Sequence, residues 1–169
     1  STSDTDTYNT AVGHHAGVSV TTGQYNTLVG GLSGDAITTG GFNVAMGYTA
    51  LGANQAGSQA VAIGAFALNV QNVAGATNNV AVGHSAGAAV TEGIRNTLLG
   101  ANAGLALTSG GENVVVGYEA LKNEDDHGQN TAIGTQALFT QNAGATAQNV
   151  AVGYQAGAAV TTGIYNTLV

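Results

Sequence analysis

The chain has 169 residues, with 27 Gly, no Pro, Cys or Trp, and a formal net charge of −7 from nine acidic and two basic residues. Charged residues make up 7%, against about 25% in ordinary soluble proteins, while apolar residues make up 44%; this is not the polar, charged composition of disorder, and no apolar run approaches the roughly 20 residues of a spanning helix. Arg95 and Lys122 alone give neither a nucleic-acid footprint nor a polybasic membrane patch, and without Cys there is no disulfide or thiolate metal site.

The opening "STSDTDTYNT" has no basic flank and no apolar stretch, so it does not have the form of a signal peptide. Residues 1–8 read as the edge of a repetitive segment that fills 9–169. From Asn9 onward an Asn marker recurs at Asn26, Asn43, Asn79, Asn96, Asn113, Asn130, Asn149 and Asn166, with Ala60 in the one vacant place. The step is 17 residues, or 19 after Ala60 and after Asn130. Four steps make a super-unit of 70 residues: 9–78, 79–148 and a partial 149–169. A fixed internal period is the signature of stacked repeat architecture.

Four residues after each marker stands Gly13, Gly30, Gly47, Gly64, Gly83, Gly100, Gly117, Gly134 or Gly153. The seventh position is always small, from Ala16 and Ser33 to Ala156. The eighth alternates in pairs: Gly17 and Gly34, Leu51 and Leu68, Gly87 and Gly104, Leu121 and Leu138. Between marker and Gly lie triplets such as "TAV", "VAM" and "VVV", whose β-branched residues favour extended chain; Gly then permits a turn. A second apolar piece, as in "VSVTTG" and "AAVTEG", predicts another short strand, so each unit reads strand, turn, strand, turn. A helix pair needs about 33 residues or more. Seventeen predict one coil of an all-β, parallel β-solenoid (a β-roll) of stacked 17- and 19-residue coils. Stacking about 4.8 Å apart makes each column a ladder, and some ten coils span about 48 Å. The Asn and Gly columns are the expected structural ladder, with Asn amides bonding along the stack.

Strand alternation assigns positions one and three after the marker to the interior and position two to the outside. Position two is apolar throughout: Ala11, Leu28, Ala45, Ala62, Ala81, Leu98, Val115, Ala132, Ala151, Leu168. A strand apolar on both faces is usually covered on both, so the outward stripe is expected to meet identical chains.

"SQAVAIGAFAL" (Ser58 to Leu68) and "NNVAVGHSAG" (Asn78 to Gly87) resemble the head repeats of trimeric autotransporter adhesins. "YNTAVGHHAG", "NTAIGTQAL" and "TTGIYNTLV" resemble the repeats of bacteriophage tail-fibre proteins more closely. The resemblance runs from Asn9 to Val169. It implies a homotrimer in an extracellular or virion fibre: a structural shaft or spacer without catalysis or cofactor. The alternative is an adhesin-type head that binds a host-surface glycan or protein.

Candidate sites are few. His14 and His84 share position five with Tyr48, Tyr118 and Tyr154. The histidines read as surface positions, and no metal site is assigned; the tyrosines are the candidate binding surface. "LKNEDDHG" (Leu121 to Gly128) is the one charged cluster. It reads as a solvated loop, with Ca²⁺ on Glu124, Asp125 and Asp126 as the functional alternative. "GHSAG" at Gly83–Gly87 has the outline of a nucleophile elbow, but its copy is "GYQAG", so no catalytic residue is assigned. Broken "TTG" ladders disfavour a flat ice-binding array. Between the copies at Asn79 and Asn149 the changes at His84/Tyr154, Ser85/Gln155, Glu92/Thr162 and Arg95/Tyr165 fall at turns or on the outside, as expected of a shape-bearing unit, and Leu99/Val169 exchanges one apolar residue for another.

Overall fold

The computed structural model describes residues 7–169, so residues 1–6 of the expected N-terminal edge lie outside the described residues. Each triplet after a marker forms a short strand. These are β1 (Thr10–Val12), β2 (Thr27–Val29), β3 (Val44–Met46), β5 (Val61–Ile63), β7 (Val80–Val82), β8 (Thr97–Leu99), β9 (Val114–Val116), β10 (Thr131–Ile133), β11 (Val150–Val152) and β12 (Thr167–Leu168). They build one 10-stranded sheet, every pair parallel and in register. The pairing of Val61 with Val80 shows that a 19-residue coil keeps the register. The extra residues are absorbed at the corner before Asn79, where β4 (Gly57–Ser58) pairs with β6 (Gly75–Ala76). The protein is therefore an all-β solenoid with one strand per coil on a common face.

Two expectations are corrected. The second apolar piece of each unit is not a strand. Its amides converge instead of alternating: Thr21, Thr22 and Gly23 all donate to the carbonyl of Thr38, and Thr91, Glu92 and Gly93 to that of Thr108. The hydroxyls of Thr21 and Thr91 point at the same two carbonyls. Amides gathered on one acceptor make a corner, not a ladder.

The facing of the strands is also the reverse of that expected. Position two is inside: Leu28, Ala45, Ala62, Ala81, Leu98, Val115, Ala132 and Ala151 are fully buried. Positions one and three are half-buried or exposed, as at Val44, Met46, Val114 and Ile133. The cause is the marker itself. Asn26, Asn43, Asn79, Asn96, Asn113, Asn130 and Asn149 are buried, and with position zero inside, alternation puts position two inside as well.

The paired alternation at position eight has a packing cause. Where position eight is Gly, position eleven carries an apolar side chain into the core: Ile37, Val90, Leu107. Where position eight is Leu51, Leu68, Leu121 or Leu138, position eleven is polar yet buried: Asn54, Gln71, Glu124, Gln141. Between positions eight and eleven, one large apolar side chain per coil fills the narrow core from one side or the other, and close packing turns that choice into the four-coil period.

Candidate functional site

The Asn ladder links neighbouring Asn markers and is interrupted after Ala60, which has no side-chain oxygen to accept the Asn79 N–H. Asn26 N–H donates to Asn9 Oδ1 at 2.8 Å, Asn43 N–H to Asn26 Oδ1 at 3.0 Å, and Asn96 N–H to Asn79 Oδ1 at 2.8 Å. Asn113, Asn130, Asn149 and Asn166 continue it at 2.8–3.1 Å. Ala60 N–H still donates to Asn43 Oδ1. Most of the marker amides also reach across the coil, as Asn79 Nδ2 does to the Gly93 carbonyl at 2.7 Å. One side chain thus satisfies an amide of the next coil and a carbonyl of its own, both buried groups that are costly to leave unpaired.

The Gly column at position four is equally constrained. Gly83 has φ +142°, and a Cβ there would lie 2.5 Å from the carbonyl oxygen of Gly100 in the next coil. Coil contact at this edge is backbone on backbone.

The candidate binding tyrosines are exposed: Tyr48 53%, Tyr118 50%, Tyr154 74%. They are not brought together. Tyr48 and Tyr118 stand four coils apart, about 19 Å at the strand spacing. Tyr48 meets Phe66 edge to face at 5.6 Å, and Phe66 meets His84 at 5.9 Å. His14 stacks on its neighbour His15.

A second set of side chains follows from the same period. Tyr8, Tyr25 and Phe42, each just before a marker, stack at 5.3 and 4.8 Å. Further along this column Arg95 pairs with Glu112 at 2.7 Å, Gln129 donates to Glu112 and Gln148 to Gln129. A parallel ladder joins Gln155, Gln136 and Glu119. Lys122 Nζ donates to Glu119 Oε1 at 2.7 Å; the Lys122 and Gln136 bonds hold the Glu119 carboxyl below its usual value. Spacings of 17 and 19 residues in the sequence were the signal for these columns. A shallow groove of about 230 Å³ lies beside Arg95, Glu112, Asp126 and Gln129, floored by Gly111 and Gly128.

The charged corner departs from its reading as a solvated loop. Glu124 sits in the core column at position eleven and is fully buried. Desolvation pushes its pKa up, opposed by the Ala143 amide, which donates to Oε2 at 3.4 Å. Asp126 turns away to accept bonds from the hydroxyls of Thr108 and Ser109, which lower its pKa. The Ca²⁺ set of Glu124, Asp125 and Asp126 is therefore not assembled. His127 takes Asp126's place: Glu124, Asp125 and His127 offer ligand atoms all within 4.8 Å of one another.

Fold and ladders together define a β-solenoid repeat protein. Compared with family models, curated proteins and solved structures, the chain matches none.

Proposed function

We propose that this chain is a structural shaft or spacer of an extracellular or virion fibre, assembled as a homotrimer and without catalysis. The observation that carries the reading is the Asn ladder, which runs on both sides of Ala60 and with the parallel sheet commits buried polar groups to joining coil to coil. The two basic residues are also engaged in ion pairs, Arg95 with Glu112 and Lys122 with Glu119, which suits a fibre exposed to proteases.

Support for self-association comes from the outer face of the sheet. Val12, Met46, Val114, Ile133, Val150 and Val152 are each more than a third exposed there, and contiguous apolar surface of this kind marks an interaction face. Identical chains around an axis along the stack cover it by symmetry. Sedimentation equilibrium with small-angle scattering tests this: an elongated particle of three chain masses is expected, and a stable monomer overturns the trimer.

The adhesin-type reading is favoured by one observation, the exposed aromatic surface formed by Tyr8, Tyr25 and Phe42 at one end of the stack and by Tyr48 and Phe66 beside it. Specific retention on a glycan array that is lost in Tyr25→Ala and Tyr48→Ala would establish the binding module in place of the spacer.

A further inference from the structure

The corner of the coil that begins at Asn113 is closed differently from its counterpart. In the first super-unit Asn54 Oδ1 accepts the Gly57 N–H at 2.8 Å, and Asn54 Nδ2 donates to the Gly57 carbonyl at 3.1 Å. Seventy residues on, Glu124 replaces Asn54, Asp125 replaces Gln55 and His127 replaces Gly57. The His127 N–H still serves the Glu124 carboxylate, but the donation from Asn54 Nδ2 has no equivalent, because a carboxylate has no N–H to give. Glu124 Oε1 and His127 Nδ1 are both buried atoms without a hydrogen-bond partner. Asn130, the marker six residues on where the first super-unit has Ala60, also has an unpartnered Nδ2.

Glu124 Oε1 and His127 Nδ1 face one another at 3.5 Å. A charge-assisted N–H···O bond closes to about 2.7–2.9 Å, so this gap is not a formed hydrogen bond. It matches two ligands of a single cation: metal–nitrogen and metal–oxygen bonds of about 2.0–2.2 Å at a tetrahedral angle put neighbouring ligand atoms roughly 3.4 Å apart. The Asp126 amide donates to Asp125 Oδ1 at 2.7 Å, and the three ligand atoms lie within 4.8 Å of one another, so the Asp125 carboxylate closes by about half an ångström to share one ion. Glu124 Oε2 accepts from the Ala143 amide, but a buried carboxylate oxygen left without a partner is costly, and pairing or metal coordination is how proteins retain one.

We propose that Glu124, Asp125 and His127 bind one divalent transition cation of the zinc class, with water in the fourth position. One imidazole and two carboxylates suit such an ion better than Ca²⁺ or Mg²⁺, which take oxygen ligands alone. The ion does at this corner what the Asn54–Gly57 bonds do at the other: it ties position eleven to position fourteen. The corner is then a staple that stabilises the coil when metal is present.

The 169-residue chain, stripped with chelator, is titrated with Zn²⁺ by calorimetry and with Co²⁺ by visible absorption. One ion per chain, a raised unfolding temperature and Co²⁺ d–d bands are expected. The double variant Glu124→Asn with His127→Gly rewrites this corner as its counterpart, so it is expected to fold and to lose the ion. Glu124→Gln, a residue this column already holds at Gln71 and Gln141, is expected to weaken binding about tenfold or more. No uptake of either ion by the native chain, or uptake undiminished in both variants, overturns the proposal. So does a preference for Ca²⁺ over Zn²⁺.

Discussion

Leu98 occupies the space that a side chain on Gly87 would need: a Cβ on Gly87 would lie 2.5 Å from Leu98 Cδ1, contributed by the next coil. Gly87 also has φ +58°. Position eight of one coil and position two of the next are thus fitted to each other, and Gly17 with Leu28 and Gly157 with Leu168 repeat the relationship at 2.6 and 2.5 Å. Gly87→Ala is therefore expected to lower stability by about 2–4 kcal/mol, combining overpacking with a left-handed backbone. Thermal unfolding measures it. A double-mutant cycle with Leu98→Ala should return a favourable coupling energy, because truncating Leu98 relieves the closest overlap and leaves the backbone term with the milder crowding from Leu68 and Val90. Gly144→Ala, at a site with nothing within 4 Å, should stay within about 0.5 kcal/mol of the native chain.

Asn96 shows what one rung of the ladder contributes. Its Oδ1 accepts both the backbone N–H and the Nδ2 of Asn113, each at 3.0 Å, and its own Nδ2 donates to the Gly110 carbonyl at 2.9 Å. Asn96→Ala leaves a buried amide and a buried carbonyl without partners, which costs about 2–4 kcal/mol in all. Because the column already contains Ala60, the variant should still fold, with a lower unfolding temperature and faster hydrogen exchange centred on the Asn113 amide. Native-like exchange at that amide would contradict the assigned bond.

The period, the Gly columns and the strand triplets were legible in the sequence because each is local chemistry written many times over. The facing of the strands was not. It turns on whether the marker points in or out, and that is decided by the carbonyl of Gly93 or its equivalents, fourteen residues away and brought near only by closure of the coil. The second strand failed for a related reason: Val90-Thr91-Glu92-Gly93 has strand-like residues, but its amides gather on the Thr108 carbonyl of the next coil. Glu124 was masked by its charged neighbours. Read down its column, which runs Val20, Ile37, Asn54, Gln71, Val90, Leu107, Glu124, Gln141, Val160, it stands in a core position, and that vertical reading was the available signal.

Acid should weaken the ladder on which Glu119 sits. Bonds from Lys122 and Gln136 favour its ionised form and depress its pKa below the ordinary 4.5. The contribution is present above that unfolded-state value and is lost as pH falls through the lower folded value. The Lys122–Glu119 pair is partly covered, with 26% and 12% of the two side chains exposed, and solvent at the surface of the stack still screens it, so the effect is small. The expected result is a drop in unfolding temperature below about pH 4.5 that is shallower in Glu119→Gln. A variant with the same acid slope as the native chain would remove Glu119 as its source.

In the proposed assembly, positions one and three on the outer sheet face form the contact between chains. Val114 is 41% exposed and Ile133 37%, so a lysine at either place can reach water in an isolated chain and should cost that chain less than about 1 kcal/mol. In an assembly that buries this face the same lysines sit in an apolar, like-charged interface, where the desolvation penalty is several kcal/mol per ion. Val114→Lys with Ile133→Lys is thus expected to reduce the sedimentation mass to that of one chain while the far-UV spectrum stays unchanged. An unaltered multimer would place the contact on another face, with the Tyr25 and Arg95 column the next to be tested by the same means.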